Sequence, residues 1–102
     1  MATDFRPLEF HFNATTGVEQ SDNKTAVFGS AVRRADVSLK SFDIGYTNED
    51  HHIQREKVVL KVTGIQQNAV DVHIDFLFRD SSGKIDDQYD GTIQAVVIAD
   101  VA

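Results

Sequence analysis

Residues 70–79 constrain this chain more than any other stretch. Val70, Val72, Ile74, Phe76 and Phe78 alternate without a break with Asp71, His73, Asp75, Leu77 and Arg79. Successive side chains of a β-strand point to opposite faces. A period of two therefore describes a strand with one face in a core and the other turned to water or to a partner. At the period of a helix the same apolar residues would be scattered around its circumference.

Other segments read as further strands. Residues 91–101 are apolar on both faces, with Ile93, Ala95 and Val97 on one and Val96 and Ile98 on the other. That pattern predicts a strand buried on both sides, either centrally within the fold or against a neighbouring subunit. Residues 57–63 are rich in β-branched side chains, which suit a pleated surface. Residues 36–46 change phase: Val37 and Leu39 keep one register, Phe42, Ile44 and Tyr46 the other, and one bulge near Ser41 reconciles them. Residues 8–12 and 26–28 supply two shorter strands. Between these lie turn-rich segments at 13–25, 47–52, 64–68 and 80–88, where Gly, Asn, Asp and Ser suit the dihedral angles of turns. The one proline, Pro7, is expected just ahead of the first strand, where it interrupts nothing. No stretch sustains a helical apolar period.

A chain of 102 residues has room for one core. The expected fold is all-β, a six-stranded antiparallel sandwich. Residues 1–25 form an N-terminal strand and loop, and residues 26–102 form the main body.

Composition narrows the function. The formal net charge is −6 and the basic residues are scattered, so a nucleic-acid partner is not expected. With no cysteine, thiolate chemistry and Cys-based zinc sites are excluded. No segment approaches the apolar length of a membrane span and the N-terminus has no apolar leader. The reading is a cytoplasmic protein as synthesised, without a membrane partner, for which non-classical export stays open. The glycosylation sequons at Asn13 and Asn23 carry no weight without such a leader.

No motif of a catalytic nucleophile, phosphate loop, zinc protease or dinucleotide fold occurs, and an enzyme is not expected. Glu49, Asp50, His51 and His52 form the densest set of metal-ligand types. Adjacent residues of an extended chain point apart, however, so the better reading is a polar turn. The loop 80–90 carries Asp80, Asp86, Asp87 and Asp90. Calcium there is conceivable, but the ligand order of an EF-hand is missing, and no cofactor is expected. Asp71, His73 and Asp75 share one strand face, which reads as a solvent face with a subunit contact as its rival.

The order of these segments carries a resemblance. Ala26-Val27-Phe28 is followed by the polar spacer Gly29-Ser30 and the run from Ala31 through Val32, Arg33, Arg34, Ala35, Asp36, Val37 and Ser38 to Leu39. Next come the acidic Asn48-Glu49-Asp50, the strand at 57–62, a turn, the alternating strand at 70–78 and the closing Val97-Ile98-Ala99. In this order and spacing the chain is similar to the H-type lectin domain, the family of snail agglutinins and of the C-terminal module of discoidins. The likeness covers about three-quarters of the chain and contains no single specific motif.

What the resemblance implies is a six-stranded sandwich that assembles as a homotrimer or a hexamer of two trimers. Galactose or N-acetylgalactosamine binds in clefts between protomers. The family's stacking aromatic, usually Trp, falls on Leu77 or Phe78, and its polar neighbour on Phe78 or Arg79. A hairpin Tyr is matched by Tyr89, and an Arg after the acidic linker maps near Gln54 with Arg55 adjacent. The implied ligand-binding set is Gln54, Arg55, Phe78, Arg79 and Tyr89. This chain has no Trp, its Arg is displaced, and its last hairpin loop is longer and more acidic than the family's. Those departures leave a second function open, an assembly domain that kept the trimeric sandwich and lost the sugar.

Overall fold

The computed structural model describes residues 2–15, 19–46, 53–80 and 89–102. Six strands follow one another: β1 (Ala2–Thr15), β2 (Gln20–Val27), β3 (Val32–Tyr46), β4 (Ile53–Gln66), β5 (Ala69–Asp80) and β6 (Tyr89–Val101). They form two three-stranded sheets of order β1-β6-β3 and β2-β5-β4, and every pairing is antiparallel. The sheets pack face to face into a narrow sandwich of 50 × 19 × 18 Å. Its long axis is the length of the strands, since 14 extended residues span roughly 46 Å.

Alternation decides which residues meet in the middle. Val70, Val72, Ile74 and Phe76 of β5 are fully buried, and so are Ile93, Ala95 and Val97 of β6, the central strand of the facing sheet. Phe10 and Phe12 of β1 join them, and the rings of Phe12 and Phe76 stack across the two sheets with centroids 4.6 Å apart. Fully burying a side chain such as Phe76 contributes about 1.5–3 kcal/mol relative to leaving it in water. The core thins toward β3 and β4. There Val37, Val58, Leu60 and Val62 are only partly covered, while Leu39 and Phe42 are exposed.

Several boundaries depart from the sequence reading, each for a physical reason. β1 begins at Ala2 and contains Pro7, which pairs with Val96; an edge strand tolerates a residue without an N–H. The stretch 13–25 is mostly strand, because β1 runs to Thr15 and β2 starts at Gln20. The strand expected at 26–28 is only the end of β2, which is longer than its apolar pattern shows because Ala26 is its one buried apolar residue. The turn expected over 64–68 shrinks to Gln67 and Asn68, with Gly64 inside β4 opposite Asp71. The bulge expected near Ser41 lies between Leu39 and Ser41, with Lys40 as its extra residue.

Of the two arrangements expected for the strand 91–101, burial of both faces within the fold is not found: its inner residues are buried, but on its outer face Ile98 is exposed and Val96 half-buried, so the single chain covers one side only. A sheet has two faces, and the sandwich supplies a partner for just one of them.

One end of the sandwich is sewn shut. Val32 N donates to Gln67 O at 2.7 Å and Phe28 N to Asn68 O at 2.8 Å. Asn68 Nδ2 returns a bond to Phe28 O, and Ala102 N donates to Ala31 O. The Arg6 guanidinium lies 5.0 Å from the centre of the Phe28 ring and donates from Nε to Val27 O. At the opposite end β1 stops at Thr15, β3 at Tyr46 and β5 at Asp80, and β2, β4 and β6 begin.

Candidate functional site

The five positions singled out by the resemblance lie at that opposite end. Arg55 pairs with Arg79 and Glu56 with Phe78 in the β4–β5 ladder, and Gln54 is the extra residue of a bulge between Ile53 and Arg55. Tyr89, the first residue of β6, pairs with Thr15 of β1 and Tyr46 of β3. The backbone thus brings Gln54, Arg55, Phe78, Arg79 and Tyr89 from three strands and both sheets to one end of the molecule. Their side chains lie outside the described residues, as do Glu49, Asp50, His51, His52 and the segment 81–88 of the acidic loop. Of the two stacking positions offered, Leu77 is only 5% exposed, and the Phe78 side chain lies outside the described residues.

The outer face of the β2-β5-β4 sheet carries a polar ladder. Three residues of β2 face three of β5 in register: Ser21 opposite Asp75, Asn23 opposite His73 and Thr25 opposite Asp71. Each pair is hydrogen-bonded. Ser21 Oγ donates to Asp75 Oδ1 and Thr25 Oγ1 to Asp71 Oδ1, both at 2.7 Å. His73 Nδ1 is 2.8 Å from Asn23 Oδ1, and His73 Nε2 is 2.9 Å from Asp75 Oδ1. In its protonated form the ring donates to both acceptors.

The Asp75 carboxyl is held below the ordinary carboxylate value, first by the Ser21 hydroxyl bond and then by the His73 bond. Desolvation opposes these. The row Asp71-His73-Asp75 therefore finds its partners inside the chain, on β2. No apolar alternation marks these β2 residues in the sequence, since Ser21, Asn23 and Thr25 alternate with the polar Gln20, Asp22 and Lys24. Serine, histidine and aspartate meet here in an order that activates nothing, because the Ser21 hydroxyl bonds the carboxylate and not the imidazole.

The outer face of the β1-β6-β3 sheet is different. Phe5 pairs with Ile98 and Pro7 with Val96, and Phe5 (55%) and Ile98 (37%) stand exposed as neighbours. One step along the same face lies a shallow cleft of about 290 Å³ lined by Pro7, Leu8, Glu9, Lys40 and Gln94. Two of its lining residues, Glu9 and Gln94, stand in one cross-strand row with Ser41 of β3. Ser41 Oγ donates to Gln94 Oε1 at 3.0 Å. Among the described residues the Glu9 carboxylate and the Lys40 ammonium have no hydrogen-bond or ion-pair partner.

Among the described residues no three of His, Cys, Asp and Glu are arranged to hold a metal ion, and no helix is long and apolar enough to cross a membrane. No protein-family model, no curated protein and no solved structure matches this chain.

Proposed function

We propose that this chain is a carbohydrate-binding domain of H-type lectin kind, acting as a homo-oligomer, with its sugar site at the open end of the sandwich. The observation that carries this reading is the convergence of Gln54, Arg55, Phe78, Arg79 and Tyr89, five positions far apart in sequence, on one end of two packed sheets. That set offers a ring for a sugar's C–H face and guanidinium and amide donors for its hydroxyls. Single sites of this sort are weak, and presentation of several copies on one oligomer raises their avidity.

A glycan-array screen of the purified protein, run with calcium and again with a chelator, tests it. Reproducible galactose or N-acetylgalactosamine signals are expected, falling about tenfold in affinity with Phe78→Ala and also with Arg79→Ala or Tyr89→Ala. Unchanged binding in all three variants removes the site. Loss with the chelator alone moves attention to the loop 80–90.

A second reading is favoured by the exposed pair Phe5 and Ile98, which a soluble monomer gains nothing by displaying. It is an assembly domain that pairs with copies of itself and binds no sugar. A blank array from a well-folded oligomer is its signature.

A further inference from the structure

We propose that the cleft between β1, β6 and β3 is a separate saccharide subsite that takes one neutral pyranose ring. The ligand class rests on the carbohydrate reading above, while the residues are different ones. Gln94 lies five residues along β6 from Tyr89, roughly 17 Å from the open end at the rise of an extended strand.

The chemistry of the lining selects the ligand. Glu9 supplies a carboxylate that only accepts, and Lys40 an ammonium that only donates. Gln94 has its carbonyl oxygen engaged by Ser41, so its Nε2 hydrogens remain as donors. A group that satisfies all three must both donate and accept, and the hydroxyl does so. The opposite charges of Glu9 and Lys40 cancel within the cleft, which gives neither an anion nor a cation an advantage.

Pro7 adds an apolar wall, continued on the same face by Val96 and Phe5, of the kind that a sugar's C–H surface packs against. Size agrees, since about 290 Å³ stands at the small end of ligand sites and suits one ring. The cleft also has a local structural cause. Lys40 is the extra residue of the β3 bulge, and a bulge re-aims the side chain that an unbroken ladder would have placed elsewhere.

The test is an amide NMR titration of the isotope-labelled full chain with the methyl pyranosides of glucose, mannose and galactose at millimolar concentration. At least one pyranoside is expected to shift the amides of Glu9, Lys40 and Gln94 in a saturable way. Glu9→Gln should weaken that response about tenfold, because it exchanges a charged acceptor for a neutral amide. Lys40→Ala should weaken it too, whereas Phe78→Ala should leave it intact. Shifts confined to Arg79 and Tyr89 would overturn the subsite and leave the open-end reading standing. Shifts confined to the cleft would support the subsite and remove the open-end site. Silence at both places would overturn both, and a response to glycine but to no pyranoside would overturn the subsite by naming a zwitterion as its ligand.

Discussion

Asp75 is a single residue in which folding and pH are linked. It accepts from Ser21 and from His73, and these contacts hold its carboxyl below the ordinary value of 3.8. The sign follows from that depression. Where the folded carboxyl is the stronger acid, its contribution to stability is fully present above the unfolded pKa, and it is lost as pH falls through the lowered folded value. Wild type should therefore exceed Asp75→Asn in urea-denaturation midpoint at neutral pH, and the gap should close as the pH drops below 3.8. A gap independent of pH would mean that the ladder contributes no ionic stabilisation. Half of this arrangement was readable beforehand, because Asp71, His73 and Asp75 alternate with obvious core residues. The other half was not. Ser21, Asn23 and Thr25 alternate with Gln20, Asp22 and Lys24, and a strand polar on both faces gives hydrophobic periodicity nothing to detect.

Elements announce themselves in proportion to the burial of one face. β5 was evident because its described inward positions, Val70, Val72, Ile74 and Phe76, are all apolar and fully buried, and the phase change of β3 correctly pointed to a bulge. β1 was read too short, since Asp4 and Arg6 occupy inward positions near its start and are satisfied by each other at 3.0 Å and by Phe28. The β4–β5 hairpin turn is shorter than the 64–68 expected: it is made by Gln67 and Asn68 alone, and Gln67 has a φ of 56°. That left-handed conformation costs an L-residue with a side chain roughly 1–2 kcal/mol. Gln67→Gly removes the strain and gives back part of the gain through the freer unfolded chain, so a net stabilisation of about 0.5–1 kcal/mol is expected. The Gln67 carbonyl that accepts from Val32 is main chain and survives the change. A two-state urea titration measures it, and a loss of stability would show that the Gln67 side chain contributes more than its backbone costs.

At the scale of the whole molecule, the two outer faces of the sandwich ask for different surroundings. On the β2-β5-β4 face the polar residues of β2 and β5 satisfy one another, cross-strand pair by cross-strand pair, and Val27 stands exposed beyond the last of them. The β1-β6-β3 face leaves Phe5 and Ile98 exposed side by side, with Val96 half-covered. Any self-association of this chain through a sheet face should use that one, and Ile98→Lys separates fold from assembly. Ile98 points away from the core, so a lysine there should change the stability of the single chain by no more than about 0.5 kcal/mol, while a charge trapped in an interface costs several times more. Sedimentation velocity over a wide concentration range should then show wild type as an oligomer and Ile98→Lys as a monomer, with superimposable far-ultraviolet circular dichroism. An oligomer that persists in Ile98→Lys would shift the contact to another apolar exposure, Leu39 and Phe42 on the thin flank beside β4 or Val27 on β2. A wild type that stays monomeric throughout would leave these surfaces bare and would remove avidity from the account of how weak sites are made useful.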